Sequence, residues 1–222
     1  MSRSATARLF VAVDPPLSVC EELVEWARGV AVSARAGGSA RGSLRLLEAS
    51  SLHLTLCFLG SRPVGEIEAL AAALAPCAEH ACELALGAPL WLPPRRPRAL
   101  AVEIHDRDGE LRRLQEHVSG ALASASGWLP ERRRFRPHIT LARVRGGVAG
   151  RRLRGSGSLD GAPAGSRADL SRRERPRREL ALPATPHLRF TAEAIILYRS
   201  WLEPEGARYE ALASSELAAA GR

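Results

Sequence analysis

Apolar and polar positions alternate most cleanly in two short stretches of this chain. Ser51–Gly60 reads SLHLTLCFLG, and Arg136–Val144 reads RPHITLARV. Successive side chains of an extended strand point to opposite faces. Leu52, Leu54, Leu56 and Phe58 therefore share one face of the first stretch, and His53, Thr55 and Cys57 share the other. The second stretch divides alike, with Ile139 and Leu141 against His138, Thr140 and Ala142. Each strand offers an apolar face to bury and an imidazole beside a hydroxyl on the opposite face. One such strand reads most simply as a half-exposed surface pair. Two with matched parity, far apart in the chain, predict two halves that face a shared cleft.

The remaining pattern supplies the frame. A buried strand is expected over Arg8–Val13, stopped by Asp14-Pro15-Pro16, then a helix from Leu17 to about Ala34 with apolar residues at helical spacing. Gly37–Gly42 reads as a loop and Leu44–Leu47 as a short strand. After the first histidine strand, Gly60–Pro63 is expected to turn the chain into an Ala/Leu-rich helix from Gly65 to about His80. Strands at Cys82–Leu92 and Ala99–Ile104 follow, then a turn at Asp106–Gly109. A helix marked by Leu111, Leu114, Val118 and Leu122 closes near Gly127 and precedes the second histidine strand. Leu188–Tyr198 and Ala207–Ala213 read as two last strands. Short strands with interspersed helices predict an α+β architecture of antiparallel sheet. From about Gly146 to Pro186 the chain changes character, with runs such as RRLR and RRERPRR and few large apolar residues. It cannot offset its ordering entropy by burial and is expected to be a flexible, basic insertion within one domain spanning 1–222.

Composition narrows the class. At 222 residues the chain can bury a core, and no apolar run approaches bilayer length, so no membrane partner is expected. Cys20, Cys57, Cys77 and Cys82 show neither CxxC pairing nor metal-finger spacing and read as reduced thiols of a cytoplasmic protein. The net charge is +8, and all 32 basic residues are arginine. A GC-rich genome explains that bias without function, yet a positive surface still attracts polyanions.

Two histidines facing one substrate allow one to take a proton from a nucleophile while the other gives one to a leaving group. In-line displacement at phosphorus needs that arrangement, with Thr55 and Thr140 placed to hold non-bridging oxygens. Arg143 is a further candidate for that charge. Its odd offset from His138 points it away from the cleft of a flat strand, so a bulge near Ala142 has to re-aim it. A zinc site is the competing use of paired histidines, but neither has a third ligand beside it and HExxH is absent. His80, His105, His117 and His187 read as helix-surface or loop residues, and Cys57 as packing. Trp91, Trp128 and Phe135 offer at most one stacking contact and are expected in the core.

These residues bring the chain to a family. RLFVAVDPP at Arg8–Pro16, HLTLCFLG at His53–Gly60, the stretch from Arg98 to Ile104 and FRPHITLAR at Phe135–Arg143 resemble the two-histidine (2H) phosphoesterases, specifically the RNA 2′,3′-cyclic phosphodiesterases or 2′-5′ RNA ligases. The resemblance implies a bilobal α+β fold in which two pseudo-symmetric lobes of antiparallel sheet, helices on their outer faces, flank a central cleft. It implies metal- and cofactor-independent opening of RNA 2′,3′-cyclic phosphate ends by a monomer, leaving a 2′-phosphate. His53 takes the role of general acid and His138 of general base, with Thr55, Thr140 and Arg143 on the phosphate. The long basic insertion departs from the family pattern. Hydrolysis of another small cyclic or 2′-linked nucleotide, or a non-catalytic basic RNA-binding module, are the alternatives.

Overall fold

The computed structural model describes residues 5–36, 44–144, 182–203 and 206–218. Two units of the same design build it. In the first, β1 (Thr6–Val13) leads to helix α1 (Leu17–Ala36), and the chain returns through β2 (Leu44–Leu46) to β3 (Leu54–Pro63), antiparallel to β1. In the second, β5 (Ala99–His105) leads to helix α3 (Glu110–Ser126), and β6 (His138–Val144) returns antiparallel to β5. The short helix α2 (Ile67–Leu74) and β4 (Cys82–Leu92) link the units. Three strands close the chain: β7 (Arg189–Ala192), β8 (Ala194–Glu203) and β9 (Gly206–Glu216).

The nine strands among the described residues form one sheet in the order β7-β4-β5-β6-β3-β1-β8-β9, with β2 against β6. The sheet is nearly two sheets. Its halves meet at β3 and β6 through a single register position, Leu54 opposite Ile139. Both are fully buried, and each such side chain contributes on the order of 1.5–3 kcal/mol through burial. Beyond that pair the two strands part and a cleft opens, while β2 of the first unit ties the lobes a second time by pairing Leu44–Leu46 with Ala142–Val144 of β6.

Amphipathic periodicity explains the helices. Val19, Cys20, Leu23, Val24, Ala27, Val30 and Ala34 form the buried stripe of α1; Leu111, Leu114, Val118, Ser119 and Leu122 form that of α3. The Asp106 carboxylate accepts from the amides of Leu111 and Arg112, satisfying two donors that the first turn of α3 leaves open. Gly127, at φ 63°, ends the helix in the left-handed conformation.

The two-lobed antiparallel α+β architecture is as the sequence implied, with four local corrections. Gly60–Pro63 does not turn; β3 runs on to Pro63, paired with Thr6. The helix expected from Gly65 to His80 is α-helical only over Ile67–Leu74 and tightens to a 3₁₀ turn at Ala75–Cys77, where Pro76 cannot donate an α-helical bond. The strand expected over Leu188–Tyr198 is broken at Glu193, and its parts pair in different lobes, β7 with β4 and β8 with β1. His105 closes strand β5 rather than sitting in a loop or on a helix, its ring lying so close to Gly87 that a Cβ there would meet Nε2 at 2.5 Å. Most of the expected basic insertion, residues 145–181, and the loop at 37–43 lie outside the described residues. Its end, from Leu182 onward, docks on the fold: the Trp26 indole donates to the Ala184 carbonyl and the Thr185 hydroxyl to that of Gly87.

Candidate active site

Leu54 and Ile139, the residues that join the lobes, are the middle residues of the two His-x-Thr motifs. An antiparallel pair has a local two-fold axis perpendicular to the sheet. The axis through this pair exchanges His53 with His138 and Thr55 with Thr140. Because Leu54 and Ile139 point into the core, the four polar side chains rise from the opposite face, in the cleft. The two histidines are diagonal neighbours across the strands, a span of roughly 7–8 Å in a regular pair.

The cleft holds about 320 Å³ and is lined by His53, Thr55, His138, Thr140 and Arg143, with Arg98 and Tyr209 among its other walls. All five residues singled out in the sequence therefore come together. Arg143 arrives as the parity argument required. β6 carries an extra residue, Leu141, between the pairs Ala101–Thr140 and Leu100–Ala142, and this bulge turns Arg143 back to the cleft. β3 has its own extra residue at the same place, Leu56, between Ala12–Thr55 and Val11–Cys57. That bulge overturns part of the sequence expectation. Cys57, placed on the cleft face, is buried, while Phe58, placed in the core, is 37% exposed.

The imidazoles are held alike. Nδ1 of His53 lies 2.9 Å from the Ser51 carbonyl, and Nδ1 of His138 lies 2.8 Å from that of Arg136, each two residues back. A carbonyl only accepts, so each Nδ1 carries the proton and each Nε2 remains for chemistry in the cleft. Their surroundings differ. Phe10 stacks 4.8 Å from the His53 ring and Tyr209 meets it edge-on at 5.0 Å, whereas His138 stands on a more open side. Burial, aided by the positive charge of Arg143 and by His138, pushes the His53 pKa from 6.5 down to about 4, against the opposing pull of the Ser51 carbonyl. In the empty cleft at neutral pH, His53 is uncharged.

Sequence reasoning missed Tyr209 as a cleft residue and Phe10 and Tyr198 as the aromatic rings packed around His53. Both tyrosines of the chain lie in this one aromatic cluster, Tyr198 stacked on Phe10 and donating to Asp14. Burial holds the Tyr209 phenol above its usual pKa despite nearby Arg143, Arg45 and Arg8, so it remains a hydrogen-bond donor. Arg45 reaches this edge of the cleft by crossing Gly206, where a Cβ would sit 2.6 Å from its Nη1. Trp91 and Trp128 are buried at 8% exposure, as expected of packing residues. All four cysteines are buried and unpaired, and burial lifts the Cys20, Cys57 and Cys82 thiols to about 11. They remain protonated and are poor nucleophiles. Among the described residues no group of three or more His, Cys, Asp or Glu is placed to hold a metal ion, and no helix is long and apolar enough to cross a membrane.

Residues 15–153 match the profile of the 2′-5′ RNA ligase superfamily. The chain belongs to that superfamily. Among curated relatives, an RNA 2′,3′-cyclic phosphodiesterase of Aeropyrum pernix is 37% identical over 106 residues, covering 46% of this chain and 58% of that protein. The aligned region thus spans less than two thirds of the length of that relative. An RNA 2′,3′-cyclic phosphodiesterase of Escherichia coli is 31% identical over 141 residues, covering 63% of this chain and 73% of that protein. In three dimensions the protein TT0787 of Thermus thermophilus matches with a TM-score of 0.66 at 26% identity, over 95% of this chain and 97% of that one. Escherichia coli LigT, crystallised with 3′-AMP, matches at 0.66 and 22% identity over 96% and 99%, a likeness of fold.

Proposed function

We propose that this chain hydrolyses RNA 2′,3′-cyclic phosphate ends to 2′-phosphomonoesters, acting as a monomer and without a metal ion. The observation that carries the reading is the two-fold relation of the His-x-Thr motifs through Leu54 and Ile139, which brings both histidines to the wall of one small cleft. The names of the superfamily relatives support the substrate class.

Water attacks phosphorus from the His138 side, and Nε2 of His138 takes its proton. The P–O3′ bond breaks on the His53 side, where His53 returns a proton to the leaving oxygen. Thr55, Thr140 and Arg143 hold the non-bridging oxygens as charge builds on them. With a 5′-hydroxyl in place of water, the same positions serve 2′-5′ ligation. His53 is neutral in the empty cleft, so its acid role requires a proton taken up with the substrate. Burial first, then Arg143 and His138, hold the ring neutral, and a phosphate anion beside it favours the imidazolium against them. Side chains fill every role in this scheme. The unpaired cysteines fit a reducing, cytoplasmic setting.

Incubation with a 2′,3′-cyclic mononucleotide in excess chelator, with the product's phosphate located by NMR, tests the reading. The expected product is the 2′-phosphate at an undiminished rate. A 3′-phosphate, or activity lost with chelator, overturns it.

A further inference from the structure

A second and larger hollow adjoins the candidate active site. It holds about 1260 Å³, several times what one phosphate requires, and its wall includes Glu103 and Pro137, next to His138 across the strands and along the chain. Glu103, on its wall, is the direct cross-strand partner of His138. From there same-face positions continue outward to His105 on β5, then Ala85 on β4 and Arg189 on β7, each paired with the next. Arg136, whose carbonyl holds the His138 ring, also lines it. The hollow thus starts one strand away from His138 and runs along the second lobe to the turn that leads into α3.

Its chemistry is that of an anion-binding trough. Arg107, Arg112, Arg134, Arg136 and Arg189 line it, and none of the five forms an ion pair among the described residues. Four carboxylates share the wall, but that of Asp106 is occupied by the first amides of α3. Half-buried Phe135 stands between Arg134 and Arg136. Unpaired guanidiniums with a half-exposed aromatic side chain on the same wall are what a single-stranded phosphodiester chain requires: charge for its backbone and a surface for a base.

The geometry points to this trough as the subsite for an RNA strand leading to the reacting phosphate, an assignment that rests on the phosphodiesterase reading for its chemistry but not for its binding. The strand has two sources: the nucleotides upstream of the cyclic end itself, or a second strand bringing its 5′-hydroxyl to the His138 side.

The test compares the wild type with the double variant Arg134→Gln/Arg189→Gln, both exposed residues outside the catalytic cleft. Substrates are a 2′,3′-cyclic mononucleotide and a hexanucleotide with the same end. A plain-ended hexanucleotide with a 5′-hydroxyl serves as binding probe, followed by fluorescence anisotropy. In every supporting outcome the variant turns over the mononucleotide as the wild type does, and the salt slope of oligonucleotide binding falls by about 1.4, two contacts at about 0.7 each. If the strand is the substrate's own, the wild type prefers the cyclic hexanucleotide by about tenfold in kcat/KM, the variant loses that preference, and the plain strand competes with the mononucleotide. If it is a second strand, the plain strand binds together with the mononucleotide, and the variant loses that binding. Equal effects of the substitutions on mononucleotide and oligonucleotide, or no change in oligonucleotide binding, overturn the proposal. Wild-type protein that binds the plain strand through these arginines yet turns over neither cyclic substrate refutes the phosphodiesterase reading and leaves the trough standing.

Discussion

The two histidine strands, β3 and β6, are near copies whose differences explain more than their likeness. Each carries His-x-Thr, a buried residue at the two-fold axis, a ring fixed by the carbonyl two residues back, and a bulge one residue past the threonine. They part five residues beyond the histidine. β6 turns Arg143 toward the cleft, and β3 at the same place turns out Phe58, with Arg8 packed over its ring at 4.6 Å. Phe10 and Tyr209 enclose His53, while His138 is the cross-strand partner of Glu103 on the wall of the arginine-lined trough. In the proposed reaction a repeated unit supplies symmetric proton-transfer groups, and departures from the repeat supply the direction. The second lobe holds charge and the first offers aromatic surface.

The strongest test of equivalence removes each imidazole. His53→Ala and His138→Ala are each expected to lower kcat/KM by at least about 10²-fold. If the pair works as a unit, the double variant falls little further than either single one. An independent, multiplicative loss would show the strands to be unconnected. A smaller effect comes from the position where the copies diverge. Arg143→Ala is expected to cost about 10²-fold in kcat, as loss of one donor to developing oxyanion charge does. Phe58→Leu is expected to change mononucleotide turnover by no more than about threefold. Comparable losses from both would break the comparison, because the fifth position would then serve one role in both lobes.

How much of this was legible in the sequence follows from where the strands are regular. His53, Thr55, His138 and Thr140 could be placed because alternation holds from the buried residue at the axis to the threonine. It fails at the next step. The doublets Leu56-Cys57 and Leu141-Ala142, buried at both positions, are the trace the bulges leave in the sequence. An apolar doublet inside an alternating strand indicates a local insertion, and both doublets were there to be read. Arg143 exposed the problem because its charge conflicted with its parity; Phe58 did not, since a phenylalanine looks at home in a core. Tyr209 could not be found at all. It reaches the cleft from β9, and its place depends on the break at Glu193, which carries the chain from one lobe to the other and which no local pattern marks. Local periodicity reports faces; it does not report which strand lies beside which.

The smallest effect bears on the enclosure of His53. Its pKa of about 4 in the empty cleft, against 6.5 for the free side chain, reflects burial first, then Arg143 and His138. Between these values the unfolded chain binds a proton that the folded one does not, so folding stability should fall as pH drops from about 6.5 to about 4, with no such loss above 6.5. Phosphate in the cleft reverses the balance by stabilising the imidazolium, so inorganic phosphate should bind more tightly as pH falls and raise the titration midpoint of His53. Arg143→Ala should raise that midpoint even without phosphate, because a positive neighbour is gone, whereas Phe58→Leu, which removes no charge, should leave it nearly in place. Following the His53 ring resonances by NMR between pH 3 and 8, with and without phosphate, reads all of these shifts. A midpoint near 6.5 in the free protein would mean that the aromatic wall of Phe10 and Tyr209 does not exclude water from the ring. The asymmetry of the two lobes would then reduce to Arg143 alone.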